Sequence, residues 1–284
     1  MNCNVPAYSD LGKKARDIFD KDFNTGLCNF EYKGKTCSGA EVKVAGNHDI
    51  AKSIFNTAFE CKSKIACGIL SKVKVDSKLN FSKEIEVSDR IVKNLKQNAI
   101  LNLRADDMLK MFTLKNSHHA KHHNVQLDFF FSESCPTTVT SLVLGPIRGS
   151  TYGGITATME PKHTRPSMLA GTVFHRYKDL QLTLSGDMTR NLYFSAFHAN
   201  SVADIAVKFN WNMQESALTS AVGFLCKPYP GAFFKGKIDN NLQIGASYGV
   251  KLAEGLDLIL TTSLDGRNIQ QGHTLGFAIE ASSP

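Results

Sequence analysis

Ala203-Asp204-Ile205-Ala206-Val207-Lys208-Phe209-Asn210-Trp211-Asn212-Met213-Gln214 sorts its side chains into two sets by parity. Ala203, Ile205, Val207, Phe209, Trp211 and Met213 fall on one side, and Asp204, Ala206, Lys208, Asn210, Asn212 and Gln214 on the other. A period of two is the signature of a strand with one apolar and one polar face. At about 3.3 Å per residue the apolar face runs for roughly 20 Å or more. The pattern recurs at 180–189, where Leu180, Leu182, Leu184 and Met188 interleave with Gln181, Thr183, Ser185, Asp187 and Thr189. Further copies run from Leu242 to Leu252, Leu256 to Leu264 and Thr274 to Ala281. Turn residues separate them, as in Lys237-Ile-Asp-Asn-Asn241 and Asp265-Gly-Arg-Asn268. The repeating unit is a strand of about ten residues followed by a turn.

Two architectures use many alternating strands: a soluble sandwich or barrel with its apolar residues inward, and a membrane barrel with them outward. Strands of about 9 to 11 residues match a tilted membrane strand, whereas soluble strands are typically five or six. Burying so many wholly apolar faces would also demand a core too large for a single domain of 284 residues. The membrane barrel is therefore favoured. Scanning for the roughly 18 apolar residues that a spanning helix needs finds none, and the mean hydropathy of -0.18 agrees. The formal net charge of +7 favours anionic partners without naming them. Lys62, Lys64, Lys72 and Lys74, which alternate with Ser63, Ile65, Ser71, Val73 and Val75, would add positive field to a lumen. The seven cysteines, at 3, 28, 37, 61, 67, 135 and 226, form no CxxC pair, so neither a disulfide framework nor a zinc site is expected. No secretory signal is expected at the N-terminus.

One segment breaks the period. Tyr8, Leu11, Ala15, Ile18 and Phe19 recur at helical spacing opposite Lys13, Arg16 and Asp20, predicting an amphipathic helix over 8–20, capped by Ser9 or Asp10 and weakened by Gly12. Gly231-Ala-Phe-Phe-Lys-Gly236-Lys237 has phosphate-loop spacing, but Ile238 stands where a magnesium-holding hydroxyl belongs and the run alternates like a strand. His118, His119, His122 and His123 could chelate a metal if helical, yet they lie between strand-like segments and read as a polar turn. Nothing suggests nucleophilic catalysis, and no enzyme is expected.

Val5-Pro-Ala-Tyr8-Ser-Asp10-Leu-Gly12-Lys-Lys-Ala-Arg16-Asp-Ile-Phe19 resembles the N-terminal helix of the mitochondrial voltage-dependent anion channels. Ile244-Gly245, Tyr248, Leu264-Asp265-Gly266-Arg267-Asn268 and Gly272-His273-Thr-Leu275-Gly276 resemble the last hairpins of the same porins, and Leu142-Val-Leu-Gly145 a mid-barrel strand. The resemblance implies an all-β transmembrane antiparallel barrel in the mitochondrial outer membrane, as one domain over 1–284, with a pore helix at about 6–21 and the barrel from about 26. Nineteen strands follow from the family, not from a count on this sequence. By the same resemblance Lys13, Arg16, Lys21 and Lys96 would line the pore and meet nucleotides. Gln243, Ile244, Gly245, Thr261, Thr262, Ser263, Leu264 and Asp265 would contact them. The implied partners are membrane lipids, small anions, ATP, ADP and other phosphorylated metabolites, and cytosolic docking proteins such as hexokinase. No nucleic acid, metal or resident cofactor is expected, NAD or ATP binding only reversibly.

The chain departs from the family at three places. The glycine-rich hinge is reduced to Asp22-Phe23-Asn24-Thr25-Gly26, which should restrict helix movement. The Gly-Leu-Lys motif appears as Asn94-Leu95-Lys96, and a lipid-facing acidic residue is replaced by Val73. Three functional readings follow: a passive anion and metabolite pore, a porin-derived docking scaffold with little channel activity, and a soluble barrel holding an apolar ligand.

Overall fold

The computed structural model describes residues 5–90, 92–105, 110–131, 136–147, 149–160, 166–268 and 270–283. Cys3 and Cys135 lie outside these residues, and the described cysteines 28, 37, 61, 67 and 226 are free thiols. The first half of the wall consists of β1 (Leu27–Lys35), β2 (Glu41–Asp49), β3 (Ile54–Ala66), β4 (Ile69–Asp76), β5 (Phe81–Ser88), β6 (Leu95–Leu103), β7 (Lys110–His119), β8 (His123–Phe131) and β9 (Thr137–Leu144). The second half consists of β10 (Thr151–Met159), β11 (Met168–Tyr177), β12 (Leu180–Asp187), β13 (Asn191–His198), β14 (Ala203–Asn212), β15 (Ala217–Cys226), β16 (Ala232–Asp239), β17 (Gln243–Ala253), β18 (Leu256–Asp265) and β19 (Thr274–Ser282).

Each strand pairs antiparallel with the next, and β1 closes the sheet by pairing parallel with β19, Cys28 opposite Phe277 and Lys33 opposite Ser282. The odd strand number forces that one parallel pair: in an up-and-down chain the first and nineteenth strands run in the same direction. Among the described residues no helix is long and apolar enough to cross a membrane. Most strands have 8 to 11 residues, β3 reaching 13, which suits tilted membrane strands.

The two faces are inverted relative to a soluble barrel. Phe59, Ile155, Val173, Leu184, Phe209, Trp211, Val222 and Leu260 stand exposed on the outside, as lipid requires. On β14 the helix covers Ala206, Lys208 lies over the Phe19 ring inside the barrel, and Phe209 and Trp211 point out. The expected helix is broken into a 3-10 turn (Tyr8–Asp10) and α1 (Lys13–Asp20). Neither Ser9 nor Asp10 caps it; the N-cap is Gly12, in the left-handed conformation at φ 71°. A side chain there would also strike Thr183 Oγ1, at 2.6 Å from an added Cβ, so Gly12 permits both the break and the close approach.

From Ala232 to Lys237 the run is the start of β16, with Gly231 in the turn before it, and no phosphate loop. His118 and His119 end β7 and His123 begins β8, with the ring centroids of His118 and His123 5.5 Å apart. Among the described residues no group of three or more His, Cys, Asp or Glu could hold a metal.

Single cysteines at Lys208, Asn210 and Asn212 should react with a membrane-impermeant thiol reagent in a background lacking native cysteines, while cysteines at Val207, Phe209 and Trp211 should not. Equal labelling of both sets would rule out a lipid-facing wall on β14.

Candidate functional site: the lumen and its helix

The helix is held inside the barrel by two apolar contacts. Ala15, Ile18 and Phe19 pack on Phe197, Ala206 and Ala221, from β13 to β15. Val5 and Leu11 pack on Val143 and Phe174. Burying groups such as Phe19 and Ile18, each about 2 % exposed or less, contributes about 1.5–3 kcal/mol apiece. Polar bonds set the register: the Thr172 hydroxyl donates to Tyr8 Oη at 2.9 Å, and the Asn124 amide donates to the Val5 carbonyl at 3.1 Å.

The C-terminal end of α1 leaves carbonyls without intrahelical donors, carrying the negative end of the helix dipole. Two lysines of β16 meet them. Lys235, only 5 % exposed, donates to the carbonyls of Asp17 (3.4 Å) and Lys21 (3.2 Å) and to the Asp22 carboxylate (2.7 Å). Lys237 donates to the Phe19 carbonyl at 2.5 Å and lies over the Phe23 ring, 4.0 Å from its centroid. Asp22 takes the left-handed turn at φ 64° that a hinge glycine would otherwise supply. The link then crosses β17–β19 closely: a Cβ on Gly276 would fall 2.0 Å from the Asn24 carbonyl oxygen. Beneath it Ser247 and Thr261 are buried, their hydroxyls without partners among the described residues.

The sequence-predicted residues divide accordingly. Arg16 lines the lumen, but its guanidinium is turned back on its own chain, donating to the Leu11 carbonyl at 2.6 Å and to that of Ser9. Lys13 is exposed beside Asp10 at 3.5 Å. Lys21 is exposed, its carbonyl taken by Lys235. Lys96 is paired with Glu86 at 2.8 Å. Gln243, Gly245, Thr261, Ser263 and Asp265 share the lumen face of β17 and β18 in adjoining rows, whereas Ile244, Thr262 and Leu264 turn outward by parity. Asp265 is occupied by its own turn, accepting from the Arg267 amide at 2.9 Å. Lys235 and Lys237 were missed. Their one sequence signal was two lysines, two residues apart on a strand face; the helix end they serve is distant in the chain.

The lumen walls differ. Between the helix and β11–β16 lies a cavity of about 900 Å³ lined by Arg16, Asp20, Asp187, Lys208, Asn210 and Asp239 among others. Across from it, β1–β6 carry alternating charges: Lys33 and Lys43 each 2.6 Å from Glu31, Lys62 3.3 Å from Glu41, and Lys72 3.1 Å from Glu60. The expectation of a basic wall at 62, 64, 72 and 74 is corrected here. The register sets Glu41 opposite Lys62, Glu60 opposite Lys74 and Lys72 opposite Glu84, so these lysines each meet a glutamate, although Lys62 and Lys72 also face one another.

Lys235→Met should leave the Asp22 carboxylate and two helix carbonyls buried without their cation, a loss of about 3–5 kcal/mol where a buried pair is broken. The barrel should persist and the helix end lift. A Ser247→Cys reporter, unreactive alone, should then label with a water-soluble thiol reagent; continued protection would show that Lys235 does not hold the link.

A family model described as eukaryotic porin matches residues 4–276. The voltage-dependent anion-selective channel of Drosophila melanogaster is 29% identical over 280 residues, covering 97% of this chain and 98% of that protein. The non-selective voltage-gated ion channel VDAC1 of Rattus norvegicus is 26% identical, with 97% and 98% covered. VDAC2 of Bos taurus, of the same description, is 27% identical, with 98% and 95% covered. Closed barrel, internal helix and full-length match agree: the chain belongs to the eukaryotic porin family.

Proposed function

We propose that the protein is a voltage-dependent, anion-preferring pore of the mitochondrial outer membrane that passes small anions, ATP, ADP and other phosphorylated metabolites by diffusion. The observation that carries this reading is the closed barrel with its helix inside, in a chain of the eukaryotic porin family whose formal net charge is +7. The β1–β6 wall offsets most of its lysines with glutamates, and the helix side sets Lys13, Lys14, Arg16, Lys21 and Lys208 against Asp10, Asp17, Asp20, Asp187 and Asp239, so the placing of charge along the path, not its count, decides the preference. Fixed charge on a narrow aqueous path lowers the energy of counter-ions within about 8 Å at physiological salt, so residues at the constriction outweigh those at the mouths. A pore of this kind needs position and field rather than a catalyst.

Nucleotides would pass along the helix side, where cations and the hydroxyls of Thr172, Thr183 and Ser195 line the cavity. Contact at Gln243, Gly245 and Ser263 remains part of the proposal. Thr261 is reached only when the Asn24 link moves, because it is 4 % exposed beneath it.

The reversal potential in a potassium chloride gradient tests the reading. The wild-type pore should prefer chloride. Lys13→Glu combined with Lys21→Glu should move the potential toward potassium, while Arg16 is left in place because it ties the helix start together. An unmoved potential would take the helix off the conduction path, and a wild-type potassium preference would show that Asp187, Asp239 and their neighbours outweigh the bases.

A further inference from the structure

The outward faces of the strands carry one charged group among the described side chains, Lys83 on β5. The register fixes its direction: Glu84 and Glu86 face the lumen, Glu84 accepting from Asn98 and Glu86 from Lys96, so Lys83, of the opposite parity, faces out with Val73 and Leu101. Its cross-strand neighbours are Val73 on β4 and Leu101 on β6, and Phe81 and Ile85 flank it on its own strand. It makes no ion pair and no hydrogen bond in the structure. A bare ammonium on a lipid face is costly at depth and marks a functional position unless a counter-charge reaches it.

Lys83 lies two residues inside the strand, which at about 3.3 Å per residue and a tilt of about 40° puts it roughly 5 Å below the strand end. A lysine stem spans that distance and carries its charge to headgroup level. The same edge holds two more cations: Lys78 in the turn before β5, and Arg104 after Leu103, which pairs with Phe81. A second copy of the chain is a poor source of the counter-charge, because none of the described outward faces of the strands carries a carboxylate.

We propose that Lys83, with Lys78 and Arg104 beside it, binds the phosphate of an anionic phospholipid at the outer edge of β4–β6. Val73 is part of the site: with an apolar residue directly opposite, Lys83 has no internal partner and its charge is left for the lipid. The inference rests on the membrane barrel alone and is independent of the pore's ion preference.

The full chain, reconstituted in phosphatidylcholine with one part in five phosphatidylglycerol and released for native mass spectrometry, should retain phosphatidylglycerol in preference to phosphatidylcholine. Lys83→Gln should lower that retention about fivefold, the weight of one lysine near an anionic surface, and Lys83→Arg should keep it. Val73→Glu should act like Lys83→Gln by setting a carboxylate opposite the ammonium; if it does not fold, the Gln and Arg variants decide alone. Equal retention by wild type and Lys83→Gln would overturn the proposal. So would displacement of the lipid by inorganic phosphate, or assembly into oligomers in pure phosphatidylcholine that Lys83→Gln abolishes, which would assign the counter-charge to free phosphate or to a partner protein.

Discussion

An unpaired backbone amide or carbonyl in hydrocarbon costs several kcal/mol, and there is no water to relieve it. A sheet in lipid therefore cannot keep an edge. In this chain the debt falls on β1 and β19, and their parallel ladder from Cys28–Phe277 to Lys33–Ser282 removes the last free edges. Closure fixes everything else. Once the sheet is a cylinder, strict alternation sends one set of side chains to lipid and the other to an enclosed space. That space must be filled or wet, and the chain does both.

The helix fills one side and leaves the other open. Its position is over-determined: apolar contacts hold its middle and start, and Lys235 and Lys237 neutralise its C-terminal carbonyls from a single strand. With Asp22 bound to Lys235, the glycine-poor link is anchored at the point where a glycine-rich hinge would swing. Voltage response in this protein must accordingly work against a buried ion pair, or leave the helix in place and move something else.

Much of this was legible in the alternation. The periods at 180–189 and 203–214 are β12 and β14, and the three C-terminal copies are β17, β18 and β19. Each presents one uncharged, mostly apolar face, which is the strongest signal a membrane strand can give. The wall from β2 to β6 was harder to read, because its inner face mixes lysine and glutamate, and only the register shows Glu41 meeting Lys62. The helix break at Gly12 was hidden for another reason: its cause is Thr183, far along the chain, pressing where a side chain would sit. Lys235 and Lys237 read only as strand lysines, because the helix end they meet is distant in the chain. In each case the missing information was a tertiary neighbour, which no local pattern encodes.

A closed wall with its helix inside should enclose a conducting path. Planar-bilayer recording of the purified full-length protein addresses it most directly. The structure predicts discrete conductance steps of uniform size at low voltage, since one barrel is one pore. Protein that inserts into the bilayer, as shown by thiol labelling from the aqueous sides, yet gives no steps would contradict it.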